Sequence, residues 1–333
     1  MCDNFLHGFK CQPFPGTHAS AVQSRLVDLL GAAFVVLAEG LFERTDAGVK
    51  PRPLEPLPPK GNVQDDPFDV RVAELLSERL SDVRHRPSIV KRAPGPLISP
   101  DMVLTDTEAG LQGLEHARTN GPPPDPVAWA TGLEVKKVEF KAGKPVGRSS
   151  GPDYNSTPPT PVALISADGV AGPLPVPATY LFATLDITTD HPSVPEMVMC
   201  VGSVLDSSDK EYKWATSPRT KRINLGSYGD GMDRVRPMYV YPNPLSVPDF
   251  RNRATLIHDR EDLTKEYPQL HRMGALTRTL AEPNKGSINF SYYRLASDVS
   301  PEDSVDLPDD PFKKVLKRSE RTAPRGKFVL NLP

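Results

Sequence analysis

Three residues near the middle of the chain carry side chains that could do chemistry together. They are Asp125, in PPPDPVAWATG (122–132), and Glu134 and Lys136, in LEVKKVEF (133–140). In a strand, residues two apart share a face, so Glu134 and Lys136 stand side by side while Leu133 and Val135 point into a core. Val138 and Phe140 then fall on the Glu134 face, and a bulge or strand end is expected near Lys137. A bend at 130–132 would fold the preceding segment back as a hairpin and bring Asp125 beside Glu134. Two carboxylates that close repel each other, and a divalent cation between them relieves the repulsion. Mg²⁺ suits such a place because it is hard, takes oxygen ligands and keeps some of its waters. A lysine beside that ion can orient or deprotonate a water while the metal offsets charge developing on a phosphate oxygen. Those are the requirements of phosphodiester hydrolysis. The same residues would also serve as an ordinary exposed ion pair on a strand. A second Pro-Asp pair, Pro100-Asp101, precedes the apolar run MVL (102–104). The short gap to Glu134 favours Asp125 as the acidic partner, with Asp101 the alternative.

Such residues need elements to hold them. Residues 19–44 favour a helix, and a second helix is predicted over 66–82, where Phe68, Val72, Leu75, Leu76 and Leu80 approximate a 3.6-residue apolar face behind Asp66. Between them VKPRPLEPLPPKG (49–61) reads as a stiff proline-rich connection. From residue 87 onward short apolar runs alternate with Gly and Pro, and 102–104, 133–140, 161–166, 179–187, 197–205 and 238–242 read as strands. Helices followed by strands imply an α/β fold with a central mixed sheet. The expected division is an N-terminal helical segment with its linker over 1–60, and one domain over 61–333.

The 333 residues allow one large domain. The 38 prolines are about twice the usual share of roughly 5% and predict many loops. A net charge of −2 gives no global attraction to polyanions, so nucleic acid would have to be met by a local basic surface. Cys2, Cys11 and Cys200 have neither the number nor the spacing of a disulfide framework or a zinc site, which fits a reducing cytoplasm. The most apolar stretch, LLGAAFVVLA (29–38), is too short to span a bilayer, so no membrane partner is expected.

Pro124-Asp125 with Glu134-Val135-Lys136 resembles the PD-(D/E)XK nuclease superfamily. LEVKKVE (133–139) followed by YNSTPP (154–159) is similar to a motif pair of its type II restriction endonucleases, the NgoPII/NlaIV-like group. The resemblance covers roughly residues 60–160. Pro126 departs from it, since an apolar strand residue usually follows the aspartate. It implies a restriction-endonuclease-like core that hydrolyses double-stranded DNA at a short specific site with Mg²⁺. It further implies Asp125, Glu134 and the Val135 carbonyl as metal ligands, Lys136 orienting the water, and Glu74 of the second helix supporting the site. A homodimer would match a palindromic site, and a cognate DNA methyltransferase would protect the host. Candidate DNA contacts are Asn155 and Ser156, then Arg219, Lys221 and Arg222, then Arg234 and Arg236 in a glycine-rich loop. Two other readings compete: a repair or recombination nuclease on the same core, and a non-enzymatic virion or scaffold protein suggested by the prolines and near-neutral charge.

Overall fold

The computed structural model describes residues 19–46, 48–56, 66–93, 99–146, 154–155, 159–206, 239–240, 243–280, 286–307 and 309–312. Helix α1 (Ala19–Leu41) leads into a hairpin of β1 (Phe42–Thr45) and β2 (Gly48–Pro51). Helix α2 (Pro67–Arg84) follows, then β3 (Ser88–Arg92), β4 (Met102–Asp106), α3 (Thr107–Asn120) and β5 (Ala130–Lys141). Next come β6 (Lys144–Val146), β7 (Tyr154–Asn155), β8 (Val162–Ile165), β9 (Leu174–Asp186) and β10 (Ser193–Val201). The remaining strands are β11 (Tyr239–Val240), β12 (Ala254–His258), β13 (Leu270–Leu280) and β14 (Gly286–Leu295).

The architecture is α/β, with one large mixed sheet and few helices. Its strand order is β13-β14-β12-β10-β9-β5-β4-β3, with β6 joined to β5 and β8 to β9. The β5–β9 and β10–β12 pairs are parallel, and the other ladders of this sheet are antiparallel. Outside it, β7 pairs with β11.

Helix α1 is apolar all round from Leu29 to Ala38 because it is enclosed there: α2 lies against it, and β5, β10 and β12 pass beneath. Its side chains share one core with Phe68, Val72, Leu76, Leu133, Val135 and Leu181. Residues Leu29 to Phe42 and Leu54 therefore contribute to the same core as the sheet. Helix α2 begins where its sequence predicts, with Asp66 as N-cap accepting the Phe68 N–H and Pro67 in the first turn. Its Phe68, Val72, Leu75, Leu76 and Leu80 are buried.

The opposite face of the sheet holds a second core of Tyr180, Phe182, Val198, Cys200, Ile257 and Tyr292, covered by short helical turns around Leu245 and Phe250. Arg278 is buried there. It donates to the Val204 and Asp206 carbonyls and to Asp310 Oδ2 at 2.9 Å, and Phe312 lies on its guanidinium. A buried arginine held this way costs less than its burial suggests, since every bond it makes replaces one to water. No helix among the described residues is long and apolar enough to cross a membrane.

Candidate functional site

Strand β5 carries Glu134 and Lys136 on one sheet face and Leu133 and Val135 in the core beneath α1 and α2. The parallel partner β9 sets Tyr180 beside Glu134 and Phe182 beside Lys136, on the face of the second core. The β5–β9 register runs without a break from Gly132 to Phe140, so the bulge expected near Lys137 is absent from this pairing. Instead Lys137 and Glu139 point to the α2 side as charged residues and neutralise each other there. Lys137 Nζ donates to Glu139 Oε1 at 2.7 Å and to the N-cap Asp66 Oδ1 at 2.6 Å.

On its other edge β5 pairs with β4, but only as far as Met102 opposite Leu133. Beyond that point the Val135 N–H has no ladder partner, and Asp101 Oδ2 accepts it at 2.7 Å. Asp101 thus sits at the end of β4 beside Glu134, the next pair in register. Glu134 is held on both oxygens. Lys136 Nζ donates to Oε1 at 2.6 Å and Ser99 Oγ to Oε2 at 2.8 Å. Beside Glu134 a cavity of about 250 Å³ opens, walled by Ser99, Pro100, Gly132, Thr160, Leu164 and Tyr180 among others.

The carboxylates here strain against their surroundings. Burial, followed by the nearby charge of Glu134, raises the Asp101 pKa to about 6, although the Val135 N–H and Lys136 pull the other way. In the first turn of α2, burial and then the charges of Asp66 and Asp101 raise Asp69 to about 8, with Lys137 opposing and Glu134 adding a little. Burial depresses the Lys137 ammonium, but Asp66 and Glu139 more than compensate and leave it above its ordinary value. Acidic groups from α2, from the turn before β4 and from β5 therefore feel one another where the β4–β5 pairing stops.

The structure does not bring Asp125 to this place. It is exposed, in the loop between α3 and β5. Residues 130–132 are part of β5 rather than a bend, and the antiparallel neighbour of β5 at these residues is β4, which precedes α3. Four residues of strand, about 13 Å, already separate Ala130 from Glu134, and Asp125 lies further upstream. Of the two Pro-Asp pairs, Pro100-Asp101 is the one beside Glu-x-Lys. Glu74 also stands apart. It is half exposed on the outer side of α2 and pairs with Arg71 at 3.2 Å. The helix carboxylate that senses the site is Asp69, five residues earlier, which is about 140° around the helix and 7.5 Å along it.

Asn155 lies in β7, paired with Tyr239. Ser156, Arg219, Lys221, Arg222, Arg234 and Arg236 lie outside the described residues. Sequence reading missed Ser99 and Asp69. Asp69 carried a usable signal, being acidic, in a first turn and next to a capping aspartate, while Ser99 carried none.

Among the described residues no three Asp, Glu, His or Cys side chains gather at metal-ligand spacing. The donor set that fits a divalent cation is smaller: Asp101, Glu134 and the Val135 carbonyl. Within a strand the N–H and C=O of one residue point the same way, so this carbonyl faces the edge that the Val135 N–H shares with Asp101. Two mutually repelling carboxylates and a carbonyl are hard oxygen donors, sufficient for an ion that retains most of its waters. Compared with protein-family models, with curated proteins and with solved structures, the chain matches none of them.

Proposed function

We propose that this chain is a Mg²⁺-dependent nuclease of the PD-(D/E)XK kind, a type II restriction endonuclease that hydrolyses phosphodiester bonds in double-stranded DNA at a short specific site. The observation that carries the reading is the meeting of Pro100-Asp101 with Glu134-Val135-Lys136 where the β4–β5 pairing stops. Asp101, Glu134 and the Val135 carbonyl are the residues to hold Mg²⁺. When bound, the ion would supply Lewis acidity toward a phosphate oxygen.

The chain's own groups have the remaining work. In this reading Lys136, two residues from Glu134 on the same face, holds and orients the attacking water and offsets negative charge at the phosphate. Attack by that water forms the new P–O bond and breaks the bridging one; the proton the water loses passes to solvent, and the leaving oxygen takes one from solvent to depart as a hydroxyl. Sequence-specific cutting of a palindrome would call for a homodimer, with host DNA protected by a partner methyltransferase.

The test is digestion of one sequenced plasmid by the purified protein with and without Mg²⁺. Discrete fragments that appear with Mg²⁺ and vanish with chelator are expected. Intact plasmid under a range of divalent ions and salt would overturn the reading, and a smear directed by DNA ends or branches would redirect it to repair.

A further inference from the structure

Ser99 lies two residues before Asp101, where the chain turns into β4. Its hydroxyl donates to Glu134 Oε2 while Lys136 donates to Oε1, so the two oxygens of one carboxylate are gripped from different elements. The turn is itself seated firmly. Pro100 is buried against Gly132, where a Cβ would come within 2.7 Å of Pro100 Cγ. Asp101 in the same turn is fixed on the Val135 N–H. The tripeptide Ser99-Pro100-Asp101 therefore holds two successive residues of β5, Glu134 by its side chain and Val135 by its backbone.

The two donors on Glu134 are not equivalent. Lys136 sits on a long flexible stem and, under the nuclease reading, must also serve the water and the phosphate. When it does so, Ser99 is the donor that remains. A glutamate has several rotatable bonds and loses side-chain freedom whenever it is fixed, so a short hydroxyl on a seated turn reduces the loss incurred on binding a ligand. We propose that Ser99 is a positioning residue for Glu134, keeping its carboxylate in the rotamer that lets it share a divalent cation with Asp101. This inference rests on the metal-site part of the reading above.

The experiment is titration calorimetry of Mg²⁺ alone into the full chain, without DNA, for wild type, Ser99→Ala and Ser99→Thr, with a thermal melt of each in chelator. Ser99→Ala should weaken Mg²⁺ binding about tenfold with an unchanged metal-free melting midpoint, since outer partners of metal ligands typically matter at that level. Ser99→Thr, which keeps the hydroxyl, should restore binding. Wild-type affinity in Ser99→Ala, equal weakness in Ser99→Thr, or a wild-type chain that binds no Mg²⁺ would each overturn the assignment. A chain whose Mg²⁺ affinity depends on Ser99 but which cuts no plasmid would instead overturn the nuclease reading and leave Ser99 in this role.

Discussion

Replacing Asp69 with Asn removes a carboxylate held near acidic neighbours while keeping its size. Its pKa in the folded chain is raised to about 8, against an ordinary 3.8, because it is partly withdrawn from water and lies near the charges of Asp66 and Asp101. A carboxyl with a raised folded pKa binds its proton more tightly in the folded state, so stability falls as pH rises between the two values. The cost begins near pH 4, grows through the window and is complete above about pH 8. At roughly 1.4 kcal/mol per unit, the ceiling is about 6 kcal/mol, and partial exposure together with relaxation and water penetration should leave half of that or less. Asp69→Asn should therefore stabilise the metal-free protein by about 2–3 kcal/mol at pH 9, with a much smaller gain at pH 5. Urea unfolding at both pH values measures the difference directly. An Asp69→Asn protein with the same or lower stability at pH 9, or a gain that does not shrink on acidification, would refute the electrostatic reasoning.

Other consequences follow from the same geometry. Because the pKa of the metal-free Asp101 carboxyl is raised to about 6, protons should compete with Mg²⁺ for it: at subsaturating Mg²⁺ cleavage should fall as pH drops below about 6, and added Mg²⁺ should move the fall to lower pH, whereas a fall that Mg²⁺ concentration does not move would exclude Asp101 as the titrating ligand. Gly132→Ala places a methyl against Pro100 and should displace the 99–101 turn, costing about 1–3 kcal/mol in a thermal melt and most of the Mg²⁺ affinity by calorimetry; wild-type binding would show that the turn can shift without consequence. Asp310→Ala strands the buried Arg278 guanidinium and should destabilise the fold by about 3–5 kcal/mol in urea, whereas a loss below about 1 kcal/mol would mean that water replaces the carboxylate.

Local periodicity made part of this molecule legible. The alternation of β5 placed Leu133 and Val135 inward and Glu134 with Lys136 outward, and the Asp66-Pro67 start of α2 was readable from capping chemistry. The choice between Asp101 and Asp125 was not local. It depended on α3, which separates β4 from β5 and makes distant Asp101 the neighbour of Glu134. That helix was hidden because Gly110 and Gly113 interrupt it, glycines whose lack of a side chain admits the Trp129 ring. The phase of β5 beyond Val135 misled for another reason: Lys137 and Glu139 face the helix side, where Asp66 supplies the charge that makes their partial burial tolerable. Strands β13 and β14 escaped notice because their buried faces include Arg278 and Arg294, residues that read as solvent-facing in a bare sequence.

The most direct measurement compares two conservative variants in one plasmid digest with Mg²⁺: Asp101→Asn and Asp125→Asn, each checked for an intact fold. Cleavage should be lost by at least a hundredfold in Asp101→Asn and kept in Asp125→Asn. Full activity in Asp101→Asn, or loss confined to Asp125→Asn, would contradict a catalytic centre built on Asp101, Glu134 and Lys136.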